Sequence, residues 1–259
     1  MTKLSIQQVS KLFGNADNQV EALASINLEV AANELAVIVG PSGCGKSTLL
    51  NIVAGLETAT SGVVSMNGKE IVGPGAERGM VFQTYTLFPW LTVQKNVEFG
   101  LKVKGVDPAE RANIARHYID LVGLNSFANA LPKALSGGMK QRVAIARALA
   151  NKPEVLLMDE PFGALDAQTR VVMQELLLSV WEQERTTILF ITHDIDEAVL
   201  LADNVYVMSR RPGKIRTKIS VDIPRPRDHR VTVSPHFATI KKEIMEMLWD
   251  ESKDAALQR

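Results

Sequence analysis

The sequence predicts an α/β protein built on a parallel sheet, and three observations lead there. First, short apolar runs recur between stretches of helical periodicity: Leu35–Val39, Val155–Met158 and Thr187–Thr192. Continuous runs of this kind are strands covered on both faces, as a parallel sheet between helices requires. Second, the first run leads straight into Gly40, Pro41, Ser42, Gly43, Cys44, Gly45, Lys46, Ser47 and Thr48, which fit Gly-x-x-x-x-Gly-Lys-[Ser/Thr]. Third, chemistry-bearing residues fall just past strand ends, where an open α/β sheet binds its ligands: the glycine loop, Gln83, Asp159-Glu160 and His193.

Taken in order, residues 4–9 alternate apolar and polar, the pattern of an edge strand. Phe13 follows, then a polar turn over residues 14–18, then a second strand region over Ala22–Val30. Phe13 either stacks on a nucleobase or packs into this small N-terminal sheet. After the glycine loop, Ser47–Ala54 reads as a helix ended by Gly55. Val63–Met66 is a strand, Asn67-Gly68 a hairpin turn, Gly73-Pro74-Gly75 a loop, and Gly79–Phe82 a short buried strand.

From residue 84 the character changes. Tyr85, Leu87, Phe88, Pro89, Trp90 and Leu91 crowd apolar and aromatic groups into a loop, which makes them core or a docking surface. Asp107-Pro108-Ala109-Glu110 is a helix start, with a cap, a proline at the first helical position and a closing glutamate. Ile114, Tyr118, Leu121 and Val122 share one face of that helix, and Gly123 ends it. A further helix opens near Ser136.

Beyond the second apolar run, Gln168–Gln183 is a helix with Val172, Met173, Leu176, Leu177 and Val180 as its apolar positions. Asp194–Ala202 is a helix with acids in its first turn, and Asn204–Met208 is a last strand. The tail from Ser209 is basic, and its arginines, Arg225 and Arg227 among them, are expected to form a solvated face, with anionic lipid or a partner as the other reading. Ser234-Pro235 opens a C-terminal helix with Phe237, Ile240, Ile244 and Leu248 on one face. The expected organisation is a first part of the core with a β subdomain (1–84), a helical lobe (85–150), a second part of the core (151–209) and a short tail with a helix (210–259).

Composition sets outer bounds. With 29 basic and 29 acidic residues the formal net charge is zero, which gives no reason to expect a nucleic-acid partner. One cysteine rules out an internal disulfide and suits a reducing compartment. No signal core opens the chain, and no apolar run approaches the roughly 20 residues that span a bilayer.

The glycine loop has a mechanism. Its glycines let backbone N–H groups curl around anionic oxygens, and the helix that follows turns its positive end to them. Lys46 adds a full charge, and the Ser47 hydroxyl suits Mg²⁺. Gln83 is placed to reach a metal or an attacking water, or else to cap its strand. Asp159 closes an apolar strand, where a carboxylate binds Mg²⁺. Glu160 beside it is left to orient or deprotonate water, and His193 to donate to a γ-phosphate or fix that water. Ser136-Gly137-Gly138 begins a second helix whose N-terminus suits an anion. One nucleotide does not need two helix ends from one chain, so the second is expected to come from another copy in a head-to-tail pair.

With these residues in view, the chain resembles the ATP-binding subunits of ABC transporters over roughly residues 4–215. Phe13 is similar to the family's adenine-stacking aromatic, Gly40–Thr48 to its phosphate loop, and Gln83 to the glutamine of the loop that couples to the membrane subunit. Leu135–Gln141 resembles the family signature, Val155–Glu160 the metal strand with its catalytic glutamate, Gly163–Asp166 the loop across the dimer seam, and His193 the switch histidine. Met139 departs, standing where the signature usually has glutamine. A thioether cannot supply an amide's hydrogen bonds, but the helix end and the Gly138 backbone are unchanged, so sandwiching of ATP is expected to persist.

The resemblance implies a phosphate-loop NTPase (RecA-like) core with a parallel sheet, an N-terminal antiparallel β subdomain and an inserted helical lobe. It implies ATP and Mg²⁺ as cofactors. Ser47, Gln83 and Asp159 are then metal residues, Glu160 and His193 catalytic, and Phe13, the loop 40–48, Ser136, Gly137, Gly138 and Asp166 nucleotide-binding. The partners implied are an identical or paralogous cassette, two membrane-spanning permease subunits and, indirectly, a periplasmic or lipid-anchored solute-binding protein. The place implied is the cytoplasmic face of the inner membrane, as a peripheral subunit. Residues 73–79, 87–93 and 211–215 resemble bacterial importers of nitrate, bicarbonate, taurine and alkanesulfonates. An exporter ATPase or a non-transport phosphate-loop ATPase is the alternative; a kinase gives no reason for Leu135–Gly138. Cys44, inside the loop, is expected to react with thiol reagents unless nucleotide protects it.

Overall fold

A computed structural model describes residues 2–15 and 18–257. Ala16 and Asp17, in the expected turn 14–18, lie outside the described residues. The chain divides into two compact units, Met1–Gly75 with Thr187–Arg259, and Ala76–Thr186.

In the first unit, β1 (Thr2–Phe13), β2 (Val20–Ala31), β4 (Ser61–Met66) and β5 (Lys69–Glu70) form an antiparallel sheet in the order β2-β1-β4-β5. β1 therefore lies inside the sheet and not at its edge. Alternation reports that one face is wet, which an interior strand of an antiparallel sheet shows as readily as an edge strand. Leu4, Ile6 and Val9 of β1 are buried. The step from Ile6 to Val9 breaks strict alternation, and a register shift there, with Gln8 at φ 50°, restores the inward face. Gly62 packs against this bulge: a Cβ on it would lie 2.4 Å from the Gln8 carbonyl oxygen. Asn67 and Gly68 both take positive φ, 51° and 75°, as the tight turn between β4 and β5 demands.

The same unit holds β3 (Leu35–Val39), fully buried and flanked in parallel by β8 (Thr187–Thr192) and β9 (Asn204–Met208). β10 (Ile215–Ser220), which the sequence reading missed, runs antiparallel to β9. Helix α1 (Lys46–Ala54) ends at Gly55 with φ 76°, and Asp194 caps α6 (Ile195–Leu201) by accepting from Glu197 N at 3.2 Å. Helix α7 (Pro235–Leu257) buries Phe237, Ile240 and Ile244.

Two tail arginines are structural, which corrects the expected solvated face. Arg227 is only 5% exposed. Its guanidinium donates to the carbonyls of Ala202 (2.6 Å), Val221 (3.0 Å) and Ile223 (2.8 Å), so it closes the C-terminal end of α6. Burial, reinforced by neighbouring Arg225, pushes it down to about 10. Arg225 pairs with Asp203 at 2.8 Å, and Asp203 in turn accepts from Leu35 N at 2.9 Å, at the start of β3. Charge count alone cannot reveal that carbonyls await these side chains.

In the second unit, β6 (Arg78–Val81) and β7 (Val155–Asp159) pair in parallel. β6 is half-buried up to Val81, not the buried strand expected. Around them are α2 (Val93–Val103), α3 (Pro108–Leu121), α4 (Gly137–Ala150) and α5 (Ala167–Glu184). Asp107 caps α3 as expected, accepting from Ala109 N at 2.8 Å. The buried face of α3 is Ala115, Tyr118 and Ile119, with Val122 just beyond; Ile114 and Leu121 are half-buried, because small Ala115 takes the closest approach. In α5 the core positions are Met173, Leu177, Leu178, Val180 and Trp181, whereas Val172 is 44% exposed and Leu176 half-buried.

Candidate functional site

The first unit builds one strand-end edge. Val39 is in register with Thr192, so the loop Gly40–Thr48 and His193 leave the sheet side by side. Gly43 and Gly45 take φ of 76° and 107°, which side chains rarely allow. A Cβ on Gly40 would lie 2.8 Å from the Met208 carbonyl oxygen, so the loop starts hard against β9. Lys46 is buried, and its Nζ donates to Gly40 O at 2.9 Å and Pro41 O at 3.2 Å. The ammonium is thus held at the centre of the loop by the loop's own carbonyls. Ser42 lies in the loop between Pro41 and Gly43, and Ser47 and Thr48 follow Lys46 in α1.

Cys44 contradicts the expectation of a reactive thiol. It is 1% exposed, and its Sγ would lie 3.1 Å from a Cβ on Gly40. A small apolar side chain in a loop that needs backbone on its ligand side turns inward. Phe13 ends β1 opposite Val20 and is 39% exposed, with the Lys11 ammonium 4.9 Å from its ring centroid. The ring is not packed into the N-terminal sheet.

The second unit builds another strand-end edge. Val81 pairs with Met158, which brings Gln83 and Asp159-Glu160 to the same end of this strand pair. Glu160 takes φ 41°, a left-handed conformation costly for a side chain with a Cβ, and such strain gathers at working residues. Gln83 and Glu160 converge on Gly163: a Cβ there would lie 3.9 Å from Gln83 Nε2 and 3.9 Å from Glu160 Oε2.

Ser136 caps α4, its Oγ accepting from Met139 N at 3.3 Å. The glycines after it permit close packing. A Cβ on Gly137 would lie 2.8 Å from the Tyr85 hydroxyl, and one on Gly138 2.6 Å from Thr169 Cγ2. Asp166 caps α5, accepting from Thr169 N at 3.0 Å and Thr169 Oγ1 at 2.7 Å, and those bonds hold its carboxyl below the usual range. The Leu135–Gln141 segment, the 163–166 loop and the Gln83 loop therefore meet within this unit.

Sequence reasoning missed the residues that shape the aromatic loop. Asn96, fully buried, accepts from Phe88 N at 2.9 Å and donates to the carbonyls of Phe88, Leu91 and Thr92 at 3.1, 2.9 and 3.0 Å. Arg147 donates to Thr86 O at 2.8 Å and Thr86 Oγ1 at 2.9 Å, and burial pushes its guanidinium below the ordinary value. Phe88 packs against Phe99 with ring centroids 4.3 Å apart and the rings tilted by 41°. The result is a groove of about 520 Å³ lined by Met80, Phe88, Phe99, Val103, Lys104 and Arg147. A buried asparagine one turn into a helix carries no sequence signal beyond being polar.

The residues present fit a nucleotide triphosphate and a metal that arrives with it. The Gly43 position leaves open space where a Cβ would sit, as a cradle for phosphate oxygens needs. Among the described residues no cluster of three or more His, Cys, Asp or Glu is set to hold a metal. Mg²⁺ commonly takes one or two protein oxygens and completes its shell from phosphates and water, and the hydroxyl of Ser47, next to Lys46, is an oxygen donor of that kind.

A phosphate loop at the end of a buried parallel strand, beside a histidine at the next strand end, defines a nucleotide-binding protein. The ABC transporter family model matches residues 23–163. The chain is 49% identical to the nitrate import ATP-binding protein NrtD of Synechocystis sp., over 95% of this chain and 94% of that protein. It is 47% identical to the taurine import ATP-binding protein TauB of Roseobacter denitrificans, over 98% and 97%. Among solved structures it matches a dimeric ATP-binding cassette in a post-hydrolysis state bound to ADP and Pi. That match has 33% identity and a TM-score of 0.75, over 85% of this chain and 100% of that one. The chain belongs to the ABC transporter family and is one of its ATP-hydrolysing subunits.

Proposed function

We propose that this subunit powers a bacterial importer of a small anion of the nitrate, bicarbonate, taurine or sulfonate type. It would work as a peripheral subunit on the cytoplasmic face of the inner membrane. The observation that carries the reading is similarity over nearly the whole chain, tail included, to import ATP-binding proteins for nitrate and for taurine. No helix among the described residues is long and apolar enough to cross a membrane; in this reading the solute passes through separate permease subunits.

Two cassettes, identical or paralogous, close on two ATP molecules. Lys46 and the backbone of 40–48 grip the phosphates, and Phe13 offers a face to the adenine. Ser136, Gly137 and Gly138, at the start of α4, meet the nucleotide of the other copy, and Asp166 lies at the seam. Ser47, Gln83 and Asp159 would hold Mg²⁺, which when bound neutralises phosphate charge. Glu160 orients water and takes its proton, and His193 steadies the γ-phosphate side. The helical segment 85–150 moves as one lobe, and its groove takes a helix of the permease. Exposed Val103 (74%) lines that groove, exposed Trp90 (73%) stands beside its Phe88 with ring centroids 5.8 Å apart, and Lys104 and Arg147 add positive charge for the carboxyl end of such a helix.

Uptake of labelled nitrate, bicarbonate, taurine and an alkanesulfonate by cells lacking this chain tests the reading. Loss of one uptake, restored by the wild-type chain and not by Glu160→Gln, is expected. Unchanged uptake of all four, with new retention of a compound normally expelled, would instead favour an exporter.

A further inference from the structure

We propose that the hairpin 209–214 is a strap that positions the phosphate loop, with Arg211 and Gly213 as positioning residues that set affinity for ATP and not its turnover. The proposal rests on the reading of residues 40–48 as the phosphate site. Arg211-Pro212-Gly213 has no part in the chemistry described above, yet it touches the loop from behind.

The strap is closed on itself. Ser209 N donates to Lys214 O at 2.9 Å, and Lys214 N donates back to Ser209 Oγ at 3.0 Å. It is also sewn to β2, with Gly213 N donating to Ala22 O at 3.0 Å and Ala24 N donating to Gly213 O at 3.0 Å. Its remaining face meets the loop. Arg211 Nη2 donates to Gly43 O at 3.2 Å, and a Cβ on Gly213 would lie 2.3 Å from Cys44 O. From the β2 side, a Cβ on Gly45 would lie 2.8 Å from Ala22 O. The peptides of residues 43–45 are therefore wedged between one strand and one hairpin, backbone against backbone.

This wedge has a chemical consequence. A planar trans peptide points its N–H opposite its C=O. With Cys44 O turned to Gly213, the N–H of Gly45 is turned away from the strap, as a donor for phosphate oxygens must be. The two loop glycines at positive φ have little intrinsic preference to hold that orientation. An outside support supplies it, and support of this kind appears as binding affinity, because the loop no longer pays to order itself around the ligand.

The test measures Kd, KM and kcat for ATP·Mg on the full chain. For Gly213→Ala, whose methyl collides with backbone, Kd and KM are expected to rise about tenfold. Arg211→Ala, on the surface, should raise them about threefold with its melting temperature unchanged, and Arg211→Lys should recover part of the loss. At saturating ATP, kcat should stay within about twofold of wild type in all three. Lys46→Ala is the control. If Lys46→Ala binds ATP like wild type, the phosphate-site reading itself fails. If Lys46→Ala loses ATP while Arg211→Ala and Gly213→Ala bind as wild type, the strap is overturned and the site stands. A fall in kcat at unchanged KM also overturns it.

Discussion

Asn96 holds Phe88 by both sides of its backbone: Phe88 N donates to Asn96 Oδ1 at 2.9 Å, and Asn96 Nδ2 donates to Phe88 O at 3.1 Å. One buried amide thereby sets the course of the loop that carries Phe88 and Trp90 to the surface.

Asn96→Leu keeps the branched shape of the side chain and removes every one of these bonds. It should cost about 3 kcal/mol of stability, since several buried backbone groups lose their partner together. Basal ATPase of the isolated subunit should survive, while stimulation by the reconstituted permease should disappear. Full stimulation in the variant would detach the aromatic loop from coupling.

Glu160→Gln preserves shape at a left-handed position and removes the proton acceptor. Hydrolysis should fall about 10²–10³-fold while ATP still binds. Light scattering with ATP·Mg should then find a stable dimer. A variant that stays monomeric at saturating nucleotide speaks against the sandwich.

Arg227→Met strands the carbonyls of Ala202, Val221 and Ile223 that now receive the guanidinium. The expected loss is about 3 kcal/mol in urea unfolding, with Arg227→Lys between the two. An unchanged unfolding midpoint would show that water replaces the guanidinium at no cost.

Glu98 predicts a pH effect. Burial alone would raise its carboxyl, but bonds from Lys95 and Gln94, both at 2.8 Å, outweigh burial and hold it below the ordinary 4.5. A carboxyl lowered in the folded state stabilises above its unfolded value, and that contribution is lost as pH falls through the folded one. Glu98→Gln should therefore be less stable than wild type at neutral pH, and the gap should narrow in acid. A gap that stays constant down to acid pH would assign the effect to packing.

Cys44 should label slowly with thiol reagents whether or not ATP is present, and fast only after unfolding, because its side chain is buried. Rapid labelling of the native chain would contradict the inward orientation.

What the sequence revealed was what local chemistry encodes. Gly40–Thr48 declared itself because only glycines tolerate φ of 76° and 107° beside a lysine that closes the loop. Asn67-Gly68 and Asp107-Pro108 were equally plain, each a short-range preference. Long-range facts stayed hidden. β1 became an interior strand because β4 joined it, and Arg225 and Arg227 turned inward because Asp203 and the end of α6 were waiting. Val172 fits the helical period of α5 yet stays exposed, since periodicity shows a stripe and not what covers it. At the site, residue types were legible, but the backing of the loop by Gly213 was not, for it depends on one glycine meeting a carbonyl far away in sequence.

The last helix has an outcome for anyone who shortens this polypeptide. Phe237, Ile240 and Ile244 of α7 are sealed in the interior of the first unit. Trimming the chain before α7 would not remove a loose end; it would strip an apolar lid and leave a greasy, aggregation-prone scar.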